Sequence, residues 1–398
     1  MRYKWLIAGA LMLALLASCA GMIAIFWFSI AHTSTGGVSW RFFTADTVSA
    51  EADEEQRLAV SGPAELSVVN DAGDITVTGG TGDEIVVAAH KTAWGATQAE
   101  AEAALAALKV TITQKGNAVT VRVVRPEKIV VAGSSQSDEV EFTITVPAET
   151  AVTAKADFGD VTLSGTTGDA DLQTDFGDID VQDVKGGVIT ETSSGKVTAM
   201  RVGGEGESVK LESDFGRVVL EDATAREVWL HSSSGATELT QVDASSTVTA
   251  KTDFGDVTLE GVTAETYDLR TSSGKITVHG ARGTVKAHTD FGNVEVTEAT
   301  DANVDLSSSS GSISFAGSLA DGPHALETDF GNITLTLPPD AALTFELVTD
   351  FGKIKSAFPI TTSGDLENNH WRGTINGGGA SLTARTSSGD VSLEILNP

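Results

Sequence analysis

The chain has 398 residues, 55 of them Asp or Glu against 26 Lys or Arg, for a formal net charge of −29. A surface that acidic repels phosphate backbones, which excludes nucleic acid as a main partner. The single cysteine rules out a disulfide framework and a cysteine-built zinc site, while 41 glycines beside 8 prolines suit short strands joined by tight turns.

Residues 5–30 carry no charge and follow Arg2 and Lys4. About 20 apolar residues cross a hydrocarbon core of ~30 Å, so residues 1–30 are expected to form a transmembrane anchor. The positive-inside rule then puts the N-terminus in the cytoplasm and the remainder outside the cell membrane. Leu16-Ala17-Ser18-Cys19 also resembles the lipobox of bacterial lipoproteins, which would make Cys19 a lipidation site instead. The apolar residues that continue beyond Cys19 favour the membrane helix. Residues 31–57 lack periodicity and end in an acidic run, and read as a juxtamembrane linker.

Residues 58–150 read as a small α+β segment. Alternating stretches at 64–69, 74–78, 84–89, 110–113, 119–124 and 139–146 predict strands, with a hairpin-type turn at Asn70–Gly73. One helix is expected over 97–109, where Thr97 and Glu100 have capping-box spacing.

Residues 151–398 repeat. Asp-Phe-Gly occurs seven times, with its glycines at 159, 177, 216, 255, 292, 331 and 352. Ser-Ser-Gly occupies the same phase at Gly195, Gly235, Gly274, Gly311 and Gly389. The spacing is about 19 residues, each unit holding two short one-sided strands, too little to close a core alone. The predicted fold is therefore all-β: a single-stranded β-helix, or solenoid, with 19-residue rungs and a C-terminal cap at about 361–398. A 39-residue rung is the competing arrangement, but it would stack Asp on Asp. With the shorter rung, Ser separates like charges that would otherwise stand ~4.8 Å apart. Gly is expected to supply a positive φ at each turn. The residue after it forms a second column, in which Asp178/Lys196 and Asp256/Lys275 place opposite charges side by side.

The strict alternation breaks at Gly159/Gly177 and at Gly331/Gly352. At the first break Asp157, Asp160, Asp175 and Asp178 would meet, making a candidate Ca²⁺ site; splaying into solvent is the plainer alternative. No other cofactor is implied. Asp-Phe-Gly is also the magnesium signature of protein kinases, but no Gly-rich loop, strand lysine or catalytic loop accompanies it. The seven histidines show no metal-ligand spacing. Asp178, Lys196 and Arg217 are residue types that polysaccharide-cleaving solenoids use, so a carbohydrate-active enzyme stands as an alternative, beside a self-assembling surface filament.

The apolar N-terminus, Leu66–Thr78, the helix ahead of Lys109-Val110-Thr111-Ile112, Glu141–Pro147 and the closing Thr386–Val391 together resemble a bacterial putative-adhesin family of unknown function. The resemblance covers about residues 58–396 and implies a single-stranded β-helix and no catalytic residues. It implies an adhesive, scaffolding or sensing role, and a surface protein or polysaccharide is the expected partner.

Overall fold

The computed structural model describes residues 47–125, 137–363 and 368–396. The expected anchor, Cys19 and most of the expected linker lie outside the described residues. Among the described residues no helix is long and apolar enough to cross a membrane.

Ten elements build the N-terminal end: β1 (Val48–Ala59), β2 (Ala64–Ala72), β3 (Ile75–Gly80), β4 (Glu84–Gly95), α1 (Gln98–Ala107), β5 (Lys109–Lys115), β6 (Ala118–Val124), β7 (Glu139–Pro147), β8 (Thr150–Phe158) and β9 (Val161–Ser164). Val48–Ala59 was expected to be linker up to residue 57; it is instead a strand, antiparallel to β4 along its whole length. Ala50 and Leu58 turn inward. The acidic residues between them stay outside and keep this edge from pairing further. The Thr97 hydroxyl caps α1 by accepting the Glu100 N–H at 3.3 Å, while the Glu100 carboxylate accepts the Ala96 N–H at 3.1 Å.

Asn70–Gly73 is not a hairpin. β2 and β3 do not pair with each other; they enter opposite sheets. Leu66 of β2 lies between Val119 and Val152, and Ile75 of β3 between Phe142 and Val161. Both strands are buried on one face only, so the corner folds them together across a core rather than edge to edge. β2–β3 is therefore the first rung, and the solenoid starts at residue 64, well ahead of 151.

Every later rung repeats that plan. Ala170–Phe176 and Ile179–Gln182 lie parallel to β8 and β9, with Leu172 on Ala154 and Val181 on Leu163. From Val152 to Leu326, outside the register shift at Ala302, the in-register partners on successive rungs are 18 to 21 residues apart, as in Ala170 on Val152 and Val209 on Val188, which is the short rung and not the 39-residue one. Inward positions hold Val, Leu, Ile and Ala, with Tyr267, Phe142 and Phe315 the bulkiest fully buried side chains. Each buried Val or Leu contributes about 1.5–3 kcal/mol. The Tyr267 hydroxyl stays buried by donating to the Val262 carbonyl at 2.8 Å.

The expected cap at 361–398 divides in two. Ile360–Thr362 pairs antiparallel with His370–Ile375, which pairs antiparallel with Leu343–Phe351 and covers that edge. The last strands, Ala380–Ser388 and Val391–Ile395, do not cap. They slot between two earlier rungs, with Ala384 facing Leu326 on one side and Leu347 on the other.

Candidate functional site: the outer corner of the rungs

The repeated tripeptides all fall at one corner of the solenoid, where three columns run inward to outward. Innermost is a row of buried hydroxyls, three residues before each corner glycine from Gly177 onward, that sequence reasoning missed. Thr174 Oγ1 donates to the Gly159 carbonyl at 2.9 Å, Thr192 to Gly177 at 3.0 Å, Ser213 to Gly195 at 2.8 Å and Thr252 to Gly235 at 2.8 Å. Thr349 closes the row on Gly389 at 2.8 Å. These side chains are nearly fully buried. Each satisfies a carbonyl that the corner removes from the strand ladder. The signal was present in the sequence as a Thr or Ser in constant phase with the glycine.

The glycines come next, and their reason differs from the expected one. Of the corner glycines only Gly73, Gly159 and Gly389 have a positive φ. The column is glycine because successive backbones touch: a Cβ on Gly177 would overlap the Gly159 carbonyl, and one on Gly195 the Gly177 carbonyl.

Where it is Asp or Asn, the residue after glycine ties one rung to the next. Asp74 Oδ1 accepts the Asp160 N–H at 2.8 Å, Asp160 Oδ1 the Asp178 N–H at 2.7 Å, and Asp178 Oδ1 the Lys196 N–H at 2.7 Å. Asp256 does the same for Lys275, and Asn293 for Ser312. The expected side-chain pairing of Asp178 with Lys196 and of Asp256 with Lys275 is thus replaced by carboxylate-to-backbone bonds. The Lys275 ammonium pairs with Glu295 instead, and the Arg217 guanidinium with Glu238.

Asp157, Asp160, Asp175 and Asp178 do occupy adjacent rungs, yet no cluster of three or more metal-ligating side chains forms among the described residues. Asp160 and Asp178 each commit an oxygen to the rung above, while Asp157 and Asp175 lie on the other side of the glycine, beside the phenylalanines.

Those phenylalanines are the outward feature. Phe158, Phe176, Phe215, Phe254, Phe291, Phe330 and Phe351 are all exposed, from 52% at Phe176 to 80% at Phe351. In register they alternate with serines: Phe176 stands beside Ser194, and Ser310 lies between Phe291 and Phe330. At the one doubled step the Phe158 and Phe176 rings stack, with centroids 5.0 Å apart and planes 5° from parallel. Away from this corner, a groove of about 490 Å³ carries the exposed Ile189 among Asp169, Glu207 and Lys210.

The chain is similar to three solved structures, all distant in sequence. A putative adhesin of Bacteroides fragilis is 16% identical, with 62% of this chain and 96% of that one covered and a TM-score of 0.37. A putative cell adhesion protein of Clostridium sporogenes is 8% identical, with 87% and 100% covered and a TM-score of 0.21. A putative lipid binding protein of Parabacteroides distasonis is 10% identical, with 86% and 96% covered and a TM-score of 0.23. No curated protein matches the chain. The Toastrack DUF4097 family description matches residues 64–394, from the first rung to the last, and the chain belongs to that family.

Proposed function

We propose that this is a membrane-held, extracytoplasmic binding protein, adhesin-like and non-catalytic, that offers the outer corner of its solenoid to a surface partner. The observation that carries this reading is the ladder of seven exposed phenylalanines along one edge. Soluble proteins rarely leave large contiguous apolar patches in water unless something covers them. Here the rings contribute nothing to the core, and the serines in the same column show that the corner forms without them.

The test is attachment. Cells displaying the full chain are compared with cells displaying Phe215→Ser/Phe254→Ser/Phe291→Ser at equal surface density, scored for cell–cell and cell–surface adhesion. Loss of adhesion in the variant supports the reading; equal adhesion overturns it. Fractionation with and without Cys19→Ala separates a membrane helix from a lipid anchor.

A further inference from the structure

We infer that the phenylalanine ladder binds a second copy of this chain, the rings between Phe176 and Phe330 entering gaps above serines of the other; this rests on the binding reading above and names its partner. The stacked pair shows how the rings stand. Phe158 and Phe176 are parallel at close to the rung spacing, so their faces point along the ladder and their edges point outward. Where a serine intervenes, the flanking phenylalanines are two rungs, or about 10 Å, apart, with a small hydroxyl side chain as the floor. An inserted ring needs ~3.5–4.0 Å on each face, which that gap supplies.

The occupant must present apolar groups at every second rung over some ten rungs. A second copy meets that condition by construction. A two-fold axis between the Phe254 and Ser273 rungs sets Phe254 over the partner's Ser273 and Phe291 over the partner's Ser234. It also sets Phe215 over the partner's Ser310. Such an interface is isologous and closes at a dimer.

The area suffices. An aromatic side chain offers ~150–250 Å², so seven rings about two-thirds exposed present roughly 900 Å². A standard interface takes about 800 Å² from each partner. Charge opposes the contact: Asp157, Asp175 and their equivalents border the ladder, and the chain carries −29 overall. Because the Debye length falls from ~30 Å at 0.01 M salt to ~10 Å at 0.1 M, association tightens as salt rises.

The test is sedimentation equilibrium of the full chain in density-matched detergent, at roughly 0.05 and 0.5 M salt. The expected result is a dimer that tightens at high salt. Phe215→Ser/Phe254→Ser/Phe291→Ser weakens it roughly 100-fold or more, since three buried aromatics are removed. Ser273→Phe fills a gap and also weakens it, although it adds apolar surface. Both changes put into the column a residue type that it already holds on neighbouring rungs, and circular dichroism confirms folding. A chain that stays monomeric at both salts, or a triple variant that dimerises like the wild type, overturns the inference. If the chain is monomeric while adhesion still needs the three phenylalanines, the binding reading survives with a different partner. If adhesion is indifferent to them, that reading falls as well.

Discussion

The backbone N–H of Asp390 donates to Asn332 Oδ1 at 2.8 Å, joining residues 58 apart in sequence. On its other side Asp390 Oδ1 accepts the Lys353 N–H at 2.9 Å. The last rung of the chain is therefore not last in space. It enters between the Gly331 and Gly352 rungs, and the Ser-Ser-Gly of Gly389 separates two Asp-Phe-Gly corners that are neighbours in sequence. The second break in the alternation exists only along the chain. In the stack, only Phe158 and Phe176 remain unseparated.

A substitution at this insertion should be felt on both sides. A Cβ on Gly389 would overlap the Gly331 carbonyl, and Gly389 already has a φ of +159°. We expect Gly389→Ala to lower stability by about 1–3 kcal/mol, the usual range for forced overpacking. Ending the chain at Gly379 should be worse, because both flanking rungs then present open edges. Urea titrations followed by circular dichroism measure both.

The buried hydroxyl row gives a cleaner comparison. Thr252→Val keeps shape but leaves the Gly235 carbonyl without its 2.8 Å donor, an expected loss of about 1–3 kcal/mol. Thr252→Ser should lose much less, since Ser213, Ser232 and Ser308 fill the same role elsewhere. Equal losses for the two variants in denaturant titrations would count against the hydrogen bond.

Where the residue after glycine is acidic, its role is that of an acceptor and not of a charge. Asp160→Asn should change stability little, because Asn293 and Asn332 already serve in that position. Asp160→Ala should lose about 1 kcal/mol with the bond to the Asp178 N–H. On the same argument millimolar Ca²⁺ should leave the thermal midpoint of the chelator-treated protein unshifted, a direct measurement on the acidic step at Asp157–Asp178.

His324 makes stability depend on pH. It is buried, accepts the Val304 N–H on Nδ1 at 3.4 Å and donates from Nε2 to the Ala320 carbonyl at 3.0 Å. That pattern needs the neutral ring, and burial pushes its pKa below the usual histidine value. The unfolded chain, with a histidine pKa near ~6.5, then binds more protons than the folded one. Stability is thus retained above about pH 6.5 and lost as pH falls below it, with a slope approaching about 1.4 kcal/mol per unit. His324→Gln should flatten that slope. Asp268 acts in a lower window: burial raises its pKa, but Lys251 and Arg270 together hold it below the usual carboxylate value. Its contribution is lost only as the pH drops through the acid range.

By itself the sequence determined the rung. A glycine held in one phase across the repeats, with strands apolar on one face, leaves stacking as the way to bury those faces. The spacing of the glycines then sets the length of chain in one rung. The helix at Gln98–Ala107 and most strand positions in 64–147 were legible for the same local reason, through caps and two-residue alternation.

Tertiary structure decided what depends on partners distant in the chain. Alternation shows which residues face a core, not which strand lies alongside. Asn70–Gly73 therefore looked like a hairpin, and the acidic strand at Val48–Ala59 looked like linker until β4 paired with it. The glycines were legible as necessary but not why, since the carbonyl that excludes a Cβ at Gly177 belongs to the rung below. The place of the Gly389 rung was the least local fact of all. Local pattern made it one more rung, and only the two edges exposed by Leu326 and Leu347, closing on Ala384 from both sides, fixed where it belongs.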